Sequence, residues 1–84
     1  MNKILVKLYI PAIEENFDIL IPPARKIHSV ITLIVKAIKE LTGEVYEING
    51  GMPSLYNKTT ALPYDMKMSV KDAGIVNGTE LILI

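Results

Sequence analysis

Between Ile27 and Leu41 the apolar residues Ile27, Val30, Ile31, Ile34, Ala37, Ile38 and Leu41 recur at intervals of three and four, the one-sided stripe of an amphipathic helix. Ser29, Thr32, Lys36, Lys39 and Glu40 gather on the opposite side, and Leu33 and Val35 fall on the flanks. A different period holds nearer the N-terminus. From Lys3 to Ile10 the chain alternates, with Ile4, Val6, Leu8 and Ile10 on one face and Lys3, Leu5, Lys7 and Tyr9 on the other. Pro11 ends this strand, and Glu14, Glu15 and Asn16 supply a polar connection. Phe17, Ile19 and Ile21 then resume the alternation, with Asp18 and Leu20 turned outward, until Pro22 and Pro23 stop it. Two strands joined by a short loop predict an antiparallel hairpin. The helix that follows is the only long one available to cover it.

The two ends of that helix are unequally marked. Lys36 and Lys39 suit the negative end of the macrodipole, and Gly43 fits the position after the cap. At the other end no Ser, Thr, Asp or Asn immediately precedes Ile27, and Arg25, Lys26 and His28 place positive charge at the positive end. Residues 44–53 predict a loop with a turn signal at Asn49, Gly50 and Gly51. Leu55 and Tyr56 predict a short strand, Asn57 to Thr60 a polar turn, and Leu62 to Tyr64 a second short strand that pairs back. Ser69 and Asp72 form a capping box at the head of a very short helical turn ended by Gly74. Asn77-Gly78 is a tight turn, and Thr79 to Ile84 is the last strand, Leu81 and Leu83 facing one way and Ile82 and Ile84 the other. With no repeat, linker or low-complexity segment, residues 1–84 read as a single domain.

Composition sharpens this picture mostly by exclusion. Half the residues are apolar and the mean hydropathy is +0.34, high for 84 residues. Either the core is dense or apolar surface is kept for a partner. Nine basic residues balance nine acidic ones, so no global field favours nucleic acid or an anionic membrane. The absence of cysteine excludes a disulfide framework, a thiolate zinc site and a cysteine nucleophile. A single histidine argues against a histidine-based metal site. The apolar runs in the helix are far shorter than the roughly 20 residues of a membrane span, and the alternating N-terminus is unlike a signal peptide. The expectation is a small cytoplasmic domain with no catalytic residue, no cofactor and no enzymatic activity.

The order strand, strand, helix, strand, short strand, helical turn, strand resembles the β-grasp, or ubiquitin-like, fold: an α+β architecture with a mixed sheet of four to five strands packed on one amphipathic helix. Ser69 to Ile75, followed by a turn and Leu81-x-Leu83, is similar to the short capped turn and closing strand of ubiquitin. More closely, the run Val70-Lys71-Asp72-Ala73-Gly74-Ile75-Val76-Asn77-Gly78-Thr79-Glu80-Leu81 resembles the YukD (EsaB) family. Its members are small bacterial ubiquitin-like proteins associated with type VII secretion, the WXG-protein export pathway of Gram-positive bacteria. The resemblance implies that the first and last strands lie parallel and adjacent at the centre of the sheet. It also implies a core of Ile4, Val6, Leu8, Phe17, Ile19, Ile21, Leu55, Ile75, Leu81 and Leu83 against the helix stripe. Conjugated relatives and sulfur carriers such as the ThiS and MoaD families end in a mobile Gly-Gly tail that threads an activating enzyme. Here Leu83 and Ile84 still follow the strand pattern, which disfavours conjugation and sulfur transfer, and the internal Gly50-Gly51 reads as a turn.

The outward residues of the sheet are the leading site candidates. Adjacent first and last strands bring Leu5 and Tyr9 beside Ile82 and Ile84, with Leu20 and Tyr56 flanking. A sheet face open to water should turn polar at alternate positions, and this one does not. The resemblance makes it a docking face for a protein partner, such as a component of the secretion apparatus. A homodimer through the same face, cover by the 44–53 loop, or simple scatter are the competing readings. Arg25, Lys26 and His28 form a candidate anion site at the helix start, which a solvated helix end explains equally well. His28 has no nucleophile motif beside it. Glu14 and Glu15 read as a solvated pair, and Tyr46, Tyr56 and Tyr64 as loop-packing rings, since no basic stripe accompanies them.

Overall fold

The hairpin forms as the alternation dictates. In the computed structural model, which describes residues 2–43 and 51–84, β1 (Ile4–Ile10) and β2 (Glu15–Ile21) pair antiparallel without a bulge from Ile4 opposite Ile21 to Ile10 opposite Glu15. Pro11–Ile13 make one 3₁₀ turn between them. Glu14 closes it in the left-handed region at φ 50°, its amide donating to the Pro11 carbonyl at 3.2 Å. The last strand, β4 (Glu80–Leu83), lies parallel to β1 with Leu8 beside Leu81, and β3 (Leu55–Asn57) runs antiparallel to β4. Among the described residues the sheet has four strands in the order β2-β1-β4-β3. The expected mixed sheet with its parallel central pair is present.

Alternation sends Val6, Leu8 and Ile10, Leu81 and Leu83, Leu55 and Ile21 to one face, where they bury against α1 (Ile27–Leu41). Ile27, Val30, Ile31, Ile34 and Ile38 supply the helix side of that core. Each such side chain contributes roughly 1.5–3 kcal/mol on burial, offset in large part by the entropy of ordering it. Phe17 and Ile19 are only partly buried, because β2 is an edge strand. Two helix positions depart from the expected stripe. Val35, one turn after Ile31, is 7% exposed and joins the core, whereas Leu41 is 67% exposed at the residue where the helix ends. Thr42 and Gly43 (φ 63°) terminate it, Thr42 donating both amide and hydroxyl to the Ile38 carbonyl.

The helix start, which lacks a capping side chain, is capped from elsewhere in the chain. The Ile27 amide donates to the Met68 carbonyl at 2.8 Å and the His28 amide to the Met66 carbonyl at 3.1 Å. In the reverse direction the amides of Val70 and Lys71 donate to the carbonyls of Arg25 and Pro23, both at 2.9 Å. Residues 66–71 are therefore a strap that supplies the acceptors a Ser or Asp would otherwise provide. The strap is itself anchored by Val70, which is fully buried. Ser69 Oγ accepts the Asp72 amide at 3.0 Å, one of the two reciprocal hydrogen bonds of a capping box, and the turn stops at Gly74 (φ 80°) before becoming a helix.

The Leu62–Tyr64 stretch does pair back, though only through one bridge between Tyr56 and Pro63. The Asn57 amide donates to the Leu62 carbonyl and the Tyr64 amide to the Leu55 carbonyl, both at 3.0 Å, so this stretch covers the outer edge of β3. At the opposite corner, Asn77 Oδ1 accepts the Leu5 amide at 2.8 Å while the Gly78 amide donates to the Leu5 carbonyl at 2.8 Å. The Asn77-Gly78 turn thus docks onto the start of β1. The loop signal at Asn49-Gly50 and the Tyr46 ring lie outside the described residues. Among the described residues no helix is long and apolar enough to cross a membrane.

Candidate functional site

Strand register sets what the solvent face of the sheet looks like. Across the four strands it places Asn16, Tyr9, Ile82 and Tyr56 side by side. Tyr9, Ile82 and Tyr56 are half-buried and lie over the middle and β3 side of the sheet. One step along the strands lies a second row. Asp18 pairs with Lys7, Lys7 with Glu80, and the Lys58 amide donates to the Glu80 carbonyl at 2.9 Å. Its charges alternate: negative, positive, negative, positive. One further step brings Leu5 beside Leu20, exposed 45% and 61%.

The six candidate residues are therefore on one face but do not form one patch. Tyr9, Ile82 and Tyr56 are brought together. Leu5 and Leu20 are brought together at the far side of the charged row. Ile84, 66% exposed, lies beyond Ile82 at the other end, its backbone exchanging hydrogen bonds with Ser54 at 2.7 and 3.0 Å. Because β1 and β4 are parallel with Tyr9 beside Ile82, Leu5 and Ile84 are separated by six residue steps, roughly 20 Å at the rise of a strand. The expected adjacency of Leu5 to Ile84 does not occur, since parallel strands cannot bring the start of one to the end of the other.

The charged row was the feature that hydrophobic alternation alone passes over. Its signal is in the sequence: Lys7, Asp18, Lys58 and Glu80 become neighbours once the hairpin and the parallel pair are put in register. Lys58 ties the two rows together, its ammonium lying 5.5 Å from the centre of the Tyr9 ring, within the range of a cation–π contact. Lys7, Tyr9, Asn16, Asp18, Lys58 and Glu80 line a shallow hollow of about 310 Å³ between the rows. The arrangement offers a flat aromatic and aliphatic centre with a fixed charge pattern beside it. It contains no nucleophile paired with a base, and among the described residues no group of three or more His, Asp or Glu converges on a metal position.

Arg25, Lys26 and His28 are all exposed at the helix start. The Ile27 and His28 amides already donate to the strap, which leaves an anion there mainly the side chains to bind. The Lys26 backbone bridges to Ser69, and the His28 ring lies 3.4 Å from the Ser29 hydroxyl.

One helix laid across a mixed sheet of order β2-β1-β4-β3, with the first and last strands parallel at its centre, defines a ubiquitin-like β-grasp domain. No protein-family model and no curated protein matches the sequence. Among solved structures, the whole chain superposes on the ubiquitin-like domain of the Mycobacterium tuberculosis type VII secretion system protein ECCD1, with 21% identity, a TM-score of 0.77 and 99% of that chain covered. It matches the EccD5 ubiquitin-like domain from Mycobacterium xenopi with 13% identity, a TM-score of 0.80 and 94% of that chain covered. It also matches a chain of the MycP5-free ESX-5 inner membrane complex at 13% identity and a TM-score of 0.78, spanning 21% of that chain. At these identities the likeness establishes the fold, and the fold is that of domains found in type VII secretion proteins.

Proposed function

We propose that this chain is a non-enzymatic, cytoplasmic protein-interaction domain that serves as an accessory or regulatory component of a bacterial type VII secretion apparatus, in the manner of the YukD (EsaB) family. Docking takes place through the open face of the sheet. The observation that carries the docking role is the row Tyr9, Ile82 and Tyr56, two rings and a branched aliphatic side chain held by three adjacent strands on the side away from the helix. Aromatic and aliphatic anchors at the centre of a patch with a polar surround are where binding energy concentrates. The secretion assignment is supported by the EccD domains that share the whole fold and by the run from Val70 to Leu81.

The test is capture by N-terminally tagged protein from native cytoplasmic and membrane fractions, with Ile82→Asp and Leu5→Asp alongside. Wild type is expected to recover components of the secretion apparatus. Ile82→Asp should weaken that binding by about thirtyfold or more, the lower bound of a hot-spot loss of about 2 kcal/mol. Leu5→Asp, across the charged row, should change it little. Equal recovery by wild type and a folded Ile82→Asp protein overturns the proposal.

A second reading, self-association through the same face, is favoured by the charged row. A two-fold axis along the strands between β1 and β4 sets Lys7 against Glu80 of a second copy and Asp18 against Lys58, every pair of opposite sign. A face four strands wide and about 20 Å long covers roughly 400 Å², about half of what each partner buries in a standard interface. A dimer built this way is weak and salt-sensitive. In sedimentation at high concentration, Lys7→Glu and Glu80→Lys proteins should each be monomeric alone, while their mixture associates. No association of the mixture rules this arrangement out.

A further inference from the structure

The two edges of the sheet are finished differently. The outer edge of β3 is short and covered, because Leu62 and Tyr64 hydrogen-bond to Asn57 and Leu55 along it. The outer edge of β2 runs for seven residues with no bulge, no internal proline and no lysine, and among the described residues no segment pairs with it. Such an edge presents alternate amides and carbonyls to solvent and is a template for another strand unless the protein protects it.

Beside that edge, between β2 and α1, lies a groove of about 530 Å³. Ile19, Ile21, Pro22, Leu33, Ile34 and Ala37 supply its apolar walls. Leu33, on the helix flank rather than in the core stripe, is 45% exposed here. The charged residues lining the groove are Lys3 and Arg25, both basic. They stand at one end of it, since Lys3 immediately precedes the Ile4–Ile21 pair and Arg25 follows the end of β2.

We propose that this edge and groove form a second binding site, distinct from the open sheet face, whose ligand is an extended acidic–apolar peptide segment of a partner protein. The segment adds to β2 as a fifth strand, and its main chain pairs with the free amides and carbonyls of residues 15–21. Alternate apolar side chains drop into the groove against Leu33 and Ala37, which gives selectivity by side-chain period. The basic end of the groove selects the segment's charge: acidic residues at the end lying against Lys3 and Arg25. Pro22 and Pro23 end the ladder there, so the acids lie just past the paired stretch, where the side chains of Lys3 and Arg25 are the available contacts.

The test is titration of the ¹⁵N-labelled full chain with blocked synthetic peptides. One carries three Asp before an alternating Val-Thr stretch and the other carries three Asp after it, since antiparallel and parallel addition put opposite peptide ends at Arg25. One of the two should give saturable shifts in the amides of residues 18–21 and 30–37. Replacing its Asp residues by Lys should weaken binding about fivefold, the scale of two exposed charge contacts. Replacing the central Thr by Pro should weaken it further by deleting a ladder amide. Arg25→Glu, at an exposed position, leaves one charge of each sign beside the groove and should abolish the preference for the Asp peptide. Ile82→Asp should leave all of this unchanged, which separates this site from the docking face.

Four outcomes overturn the proposal. They are no saturable shift with either peptide, shifts centred on Tyr9, Ile82 and Tyr56, indifference of the wild-type protein to the sign of the peptide's charge, and concentration-dependent shifts of β2 without peptide. The last would mean that a second copy occupies the edge.

Discussion

Leu8→Ala is expected to remove about 3 kcal/mol of stability, while Leu5→Ala, three residues earlier in the same strand, removes less than about 1 kcal/mol. Leu8 is fully buried between Phe17 of β2 and Leu81 of β4, on the face that packs against α1. Leu5 is 45% exposed on the opposite face. Truncation at Leu8 loses the transfer energy of the missing methyl groups and leaves a cavity that two central strands and a helix cannot close. Small domains are stable by about 5–15 kcal/mol in total, and about 1 kcal/mol shifts the melting temperature of a domain this size by roughly 4–8 °C. Leu8→Ala should therefore melt roughly 8–16 °C below Leu5→Ala, or further if Leu5→Ala costs less than its upper bound. Urea unfolding checks it: the midpoint should fall for Leu8→Ala with an unchanged slope. Equal midpoints for the two variants would show that the strand does not present Leu8 to the core.

The same contrast explains why so much of the fold is legible in the chain. A strand period of two and a helix period of three to four each assign every side chain to a face, and a one-residue slip would expose Val6, Leu8 and Ile10 together. The hairpin, the helix and the closing strand are therefore readable from local pattern. What is not readable locally is set by pairing across long sequence distances. The Leu41 side chain continues the helical stripe yet is exposed, because whether a helix end is covered depends on the sheet beneath it. The Asn77 side-chain Oδ1 that accepts the Leu5 amide joins residues at opposite ends of the chain, and no periodicity announces it.

The docking face shows the same division. That Tyr9, Leu5, Ile82 and Ile84 point away from the core follows from alternation alone. That Tyr9 meets Ile82 while Leu5 and Ile84 lie far apart follows only from the parallel register of β1 and β4. The alternating charges of Asp18, Lys7, Glu80 and Lys58 come from four separate segments and acquire meaning only when those segments are aligned. The groove beside β2 was hidden for another reason. Leu33 reads as a flank of the helix until the free edge of β2 gives it a neighbour to share a ligand with.

The strap is where a missing local signal has the largest consequence, and Val70→Asp is expected to leave the domain unfolded at 25 °C. Val70 is fully buried, and a carboxylate in its place would be an unpaired charge in the core, at a cost of several kcal/mol. The milder Val70→Ala should keep the fold and report on the capping itself. The first four amides of a helix normally lack intrahelical acceptors, so those of Ile27 and His28 would exchange with solvent rapidly in an ordinary helix. Here both donate to carbonyls of Met68 and Met66. In wild type they should exchange nearly as slowly as amides in the middle of α1. In Val70→Ala, loosening of the strap should speed their exchange by about tenfold or more relative to the helix centre, as about 1.4 kcal/mol of local destabilisation requires. Uniform acceleration along the helix would mean that Val70 stabilises only the core. Fast exchange at Ile27 and His28 in the wild-type protein would mean that the strap does not cap the helix in solution. Selective acceleration would instead establish that this helix, which carries three basic residues and no capping side chain at its start, depends for its first turn on residues forty positions away in the chain.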